Sequence, residues 1–145
     1  MTTAATIKTL LAADSTLMTA LTGGVYTVEE LGRSGISRLA LPSAHDPYLK
    51  PLAVVRCEGI REMRPAFDGV TSVVREAVSI TFYADGDAGY AALHAARARA
   101  FTLLHGVNLS GAGRAWWMRS EDDLRDSKLN NACILRAEYE IEGVR

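Results

Sequence analysis

The stretch "SVVREAVSITFYADGDAGYAALHAARARAFTLLHG" (residues 72–106) decides the fold class. Its first part alternates. Val74, Val78, Ile80 and Phe82 share one face, and Arg75, Ser79 and Thr81 share the other, which is the period of a half-buried strand. Asp85-Gly86-Asp87 breaks that strand. The period then changes, and Leu93, Ala96, Ala100, Leu103 and Leu104 form the inner side of an alanine-rich helix that Gly106 ends. Small alanines let such a helix lie close on a sheet.

Working outward, "LAVVRCEGIRE" (residues 52–62) reads as the preceding strand. "PAFDGVT" (residues 65–71) reads as the turn between the two, because Asp-Gly is a strong hairpin signal. Downstream, "RAWWMRSE" (residues 114–121) and "ACILRAEYEIE" (residues 132–142) read as two further strands, the second with Cys133, Leu135, Ala137, Tyr139 and Ile141 facing in. "DDLRDSKLNN" (residues 122–131) reads as the polar loop between them.

Upstream, "LLAADSTLMTALTGGVY" (residues 10–26) continues an amphipathic helix that starts near Ala4. Asp14 interrupts its apolar stripe. Asp is a poor helix-interior residue but a good N-cap, so Asp14 is read as capping a second short helix, residues 15–21, closed by Gly23-Gly24. Residues 27–51 lose periodicity and are read as one long loop. That loop is too apolar for a linker. The predicted order is α-(α)-β-β-α-β-β, an α+β two-layer fold of about four antiparallel strands with helices on one face, in a single domain spanning residues 1–145.

Composition limits the function classes. The chain has 145 residues, 48% of them hydrophobic, and a formal net charge of −1, which argues against a strongly basic nucleic-acid binder. Its two cysteines, Cys57 and Cys133, are far apart and sit in apolar runs, so they are read as reduced core residues rather than zinc ligands. No secretory signal or bilayer-length apolar run is recognised, and the expectation is a soluble protein used without export or membrane contact.

Catalytic patterns are weak. His45-Asp46 lies in the long loop, and sequence neighbours rarely point at each other. His94 and His105 sit three helical turns apart, too far to share a metal. "GRSGIS" (residues 32–37) lacks the nucleophile-elbow order, and "LSGAGRA" (residues 109–115) lacks the P-loop pattern. Glu121, Asp122, Asp123 and Asp126 lack calcium-loop spacing. No catalytic residue, metal or cofactor is expected. Arg56, Arg61, Arg64 and Arg75 gather around the first hairpin, but Glu58, Glu62 and Glu76 are interleaved, as on a mixed-charge solvated face. Trp116-Trp117 places one indole on each side of a strand, one expected in the core and the other on an outer contact face.

These elements together resemble a known family. "LLAAD", then "STLMTALTGGVY", then the proline-led "KPLAVVRCEG", the run from Arg75 to Gly106 and the closing "RSEDDLRDSKLNNACILRAEYEI" look like the tail completion or tail terminator proteins of tailed phages. The likeness covers most of the chain, although residues 27–51 are longer than that pattern. It implies a structural virion protein at the head–tail joint. Such a protein forms a homo-oligomeric ring, usually a hexamer, that caps the tail tube, stops its growth and contacts the head connector while DNA passes through the lumen. On this reading Leu31, Ile36, Leu39, Leu41, Tyr48 and Trp117 are subunit-interface candidates, and Arg61, Arg64 and Asp68 at the hairpin tip face the tube or lumen. The rivals are a portal-side neck protein, a small α+β hydrolase or ligand-binding domain using His45 and Asp46, and a DNA-binding accessory protein.

Overall fold

The structure, a computed structural model, describes residues 2–31, 49–65, 68–126 and 132–144. Helix α1 (Thr3–Ala12) is capped by Thr2, whose hydroxyl accepts the Ala5 N–H. Helix α2 (Ser15–Ala20) is capped by Asp14, which accepts the Leu17 N–H at 2.7 Å, as the sequence predicts. Then come strand β1 (Gly24–Thr27), the single-turn helix α3 (Val28–Leu31), strands β2 (Leu52–Pro65) and β3 (Ser72–Ala84), and helix α4 (Gly86–Leu104). The chain closes with β4 (Asn108–Leu109), β5 (Gly113–Asp126) and β6 (Ala132–Val144).

The α+β class holds, but the sheet has six strands rather than about four, in the order β1-β2-β3-β6-β5-β4. It is mixed, because β1 runs parallel to β2, pairing Gly24 with Leu52 and Thr27 with Val55. The other pairs are antiparallel. The front of the expected long loop is therefore ordered structure. Thr27 N–H donates to Glu30 Oε2 at 2.8 Å, and Glu30 is ion-paired with Lys8 of α1, which ties α3 down. The chain returns at Leu49, whose N–H donates to Asp85 Oδ2 at 2.7 Å ahead of α4.

One face of the sheet carries the main core. Ala53, Val55, Val78, Ile80, Phe82, Leu135, Ala137, Tyr139 and Ile141 pack there beneath Ile7, Leu11, Leu17 and Leu21 and the α4 side chains Leu93, Ala96, Ala100 and Leu104. Register explains the layer, since Phe82 lies opposite Leu135 and Val78 opposite Tyr139. A second, smaller cluster joins Leu31, Leu49, Leu52, Val54, Tyr83 and Ile134. These residues alternate with the main-core positions, so α3 covers the other face at one end of the sheet. The helices are thus not confined to one face.

Two strands are longer than their local patterns suggest. β5 runs through Asp126, so its "DDLRD" end is strand rather than loop, held by pairing with β6. β2 runs to Pro65 and forms with β3 an arm projecting past the core. Every described residue of β2 from Glu58 onward is exposed. The predicted turn is present: Asp68 accepts the Val70 and Thr71 N–H groups at 3.0 and 2.9 Å, and Gly69 has φ +69°. Among the described residues no helix is long and apolar enough to cross a membrane.

Candidate assembly surfaces

The outer face of the sheet carries two groups of paired opposite charges. Arg119 grips Glu138 with two nitrogens, at 2.5 and 3.1 Å. Arg136 bridges Glu138 at 3.3 Å and Glu58 at 3.1 Å. Arg56 reaches Glu58 at 3.7 Å, and Ser79 donates to the same carboxylate at 2.7 Å. Arg75 meets Glu142 at 2.9 Å and Glu140 at 3.6 Å. Arg119 depresses the Glu138 carboxyl below its ordinary range. The mixed-charge reading of this region is therefore a set of pairs along and across the strands, in which Arg56, Arg75, Arg119 and Arg136 each meet a carboxylate. Glu76 departs from it. Its even position puts it on the core face, 5% exposed, where the Thr3 hydroxyl donates to it. Beside it, burial and the Glu76 carboxylate push the Cys57 thiol up to about 12.

The large apolar side chains left exposed are concentrated at the two opposite margins of the sheet. Among the described residues they are Ile60, Met63 and Val70 on the β2–β3 arm, and Phe101, Trp116, Trp117, Met118 and Leu124 around β5, with Val144 apart. Among the described residues the strand edges are open at the same two places. β1 covers β2 only over residues 52–55, and β4 covers β5 only at Gly113 and Arg114.

The β5 margin forms a groove of about 500 Å³ against α4, lined by His94, Arg97, Phe101, His105, Trp117 and Ser120 with Tyr139 at its floor. The groove exists because α4 packs chiefly over β6 and β3, leaving the marginal strand half covered. Trp116 and Trp117 take opposite faces, as alternation predicts. Neither enters the core, however, and they are 39% and 40% exposed. His105, just past α4, stacks on Phe101 with centroids 4.8 Å apart, and its Nδ1 accepts the Trp117 N–H at 3.0 Å. The imidazole thereby takes the place of a strand carbonyl on an otherwise open edge. The Tyr139 hydroxyl is buried and meets no hydrogen-bond partner among the described residues.

The structure brings some sequence candidates together and separates others. His94 and His105 line one groove, though the helix separates them. Arg61, Arg64 and Asp68 all lie exposed on the arm. Trp117 lies on the opposite margin. Leu31 is 7% exposed and spends its surface inside the second cluster. Ile36, Leu39, Leu41, Tyr48, the His45-Asp46 pair and "GRSGIS" lie outside the described residues. Of the acids near residue 121, Glu121 faces Arg119 at 3.7 Å and Asp122 is ion-paired with Arg97, while the side chains of Asp123 and Asp126 are not among those described. Among the described residues no cluster of His, Cys, Asp or Glu is arranged to hold a metal ion.

No protein-family model matches the chain, and no curated protein matches it. A solved structure does: a chain in the virion of a native gene transfer agent particle shares this fold with a TM-score of 0.65. The match covers 97% of this chain and 95% of that one at 20% identity. At that identity the likeness is one of fold, and it extends end to end.

Proposed function

We propose that this chain is a structural virion protein of a phage-like particle. On this reading it forms a ring at the head-proximal end of the tail tube, terminates tail growth and joins the tail to the head connector. The observation that carries the reading is the near full-length fold shared with a chain of a gene transfer agent virion. Two features support it. A ring needs different, complementary surfaces on opposite sides of one subunit, and the exposed apolar residues gather at two opposite sheet margins. DNA in transit should meet few unpaired cations, since each phosphate contact adds affinity, and Arg75, Arg119 and Arg136 of the outer face are each already paired with a carboxylate.

The ring is proposed to be a hexamer, with the arm tip at Arg61, Arg64 and Asp68 turned toward tube or lumen. Particles assembled without this chain test the role. The expected result is unjoined filled heads and tails of uncontrolled length. Normal tails left unjoined would move the chain to the portal side. Joined particles of normal dimensions would overturn the reading.

A further inference from the structure

The two apolar margins are unlike in shape. One is an arm, two strands thick, carrying Ile60 at 57% and Met63 at 39% exposure. The other is a concave margin where Phe101 and Trp117 line the groove. Each lies beside a strand edge that no other strand among the described residues covers, that of residues 56–65 of β2 and that of β5 beyond Ala115. Association through one self-complementary patch would need the same residues on both partners. Two different patches on opposite edges of one sheet instead make a head-to-tail contact, which closes into a ring when the rotation permits. Exposed apolar surface gathered into patches marks interaction sites.

We infer that the two margins bind each other in successive copies of this chain. Ile60 and Met63 of one subunit pack against Phe101 and Trp117 of the next. The inference rests on the ring reading above and names its contact.

Two variants of the full chain test the contact, each with one margin spoiled: Ile60→Asp and Trp117→Asp. Both side chains are exposed, so each variant should melt close to wild type. Light scattering should find each variant monomeric where wild type forms rings. Mixed one to one, the two variants should form a heterodimer and nothing larger, because only one intact arm and one intact groove remain to meet. Met63→Asp with Phe101→Asp is a second pair, used if either first variant fails to fold. Rings that persist in both variants, or disrupted variants that do not pair on mixing, overturn the contact and leave the ring reading standing. A wild-type chain that assembles neither alone nor on tail tubes overturns both.

Discussion

Arg99 of α4 grips Asp14 with two nitrogens, Nε at 3.1 Å and Nη2 at 2.6 Å, across 85 residues of sequence. Asp14 also caps α2, so one carboxylate fixes the α1–α2 junction and pins it to the long helix. The charge that interrupts the apolar stripe of the first helix is therefore a clasp at a helix junction.

This clasp gives a pH signature. The Arg99 guanidinium, with the Leu17 N–H second, holds the Asp14 carboxyl at about 2 against an ordinary 3.8. A depressed carboxylate contributes its full stabilisation above the unfolded-state value and loses it as pH falls through the folded one. The Tm difference between wild type and Asp14→Asn should be widest near neutrality and close between about pH 4 and pH 2. Asp14→Ala should cost more than Asp14→Asn, which keeps a cap acceptor. A pH-independent difference would contradict the clasp.

Gly113 and Gly143 lie where β5 and β6 come closest. A Cβ on Gly143 would sit 2.3 Å from the Ala112 carbonyl oxygen, and one on Gly113 2.1 Å from that of Glu142. Both obstacles are backbone, so neither can swing aside. Gly143→Ala should cost about 1–3 kcal/mol, the range for forced overpacking, read from denaturant unfolding. A variant as stable as wild type would show that the strands can separate there freely.

The Cys57 thiol, pushed up to about 12 by burial and then by Glu76, holds almost no thiolate near neutral pH, and thiolate is the reactive form. Cys133 is 3% exposed. The native chain should therefore label slowly with a maleimide and label at both cysteines once unfolded. Rapid labelling of the folded protein would contradict the packing around β2 and β3.

Glu138, Glu140 and Glu142 balance the arginines of the outer face. Replacing all three by Gln would free Arg75 to meet phosphates and leave Arg119 only its longer contact to Glu121, at 3.7 Å. The isolated variant should gain salt-sensitive DNA binding, and particles carrying it should deliver DNA more slowly. Unchanged delivery would place this face away from the DNA path.

The parts legible in the sequence are those with a local period. β3, α4 and the inner face of β6 follow from alternation or helical spacing, and the Asp14 cap follows from its chemistry. β1 escaped because a four-residue strand that begins at the second glycine of a Gly-Gly pair carries little pattern, and its parallel partner lies 28 residues on. The second cluster escaped because Leu31, Leu49 and Tyr83 meet only in three dimensions. The charged end of β5 escaped because its stability comes from β6 and from the Arg97–Asp122 pair, not from apolar alternation. At the assembly surfaces the tryptophan pair was visible in sequence. The seat of His105 on the Trp117 N–H was not, since it joins a helix end to a strand edge.

The most direct test of the central claim is to incubate the purified chain with tail tubes and measure both shape and mass, by negative-stain imaging and light scattering together. The account predicts a ring at one end of each tube with a mass of about six copies. A chain that stays monomeric and leaves the tube ends bare would contradict it.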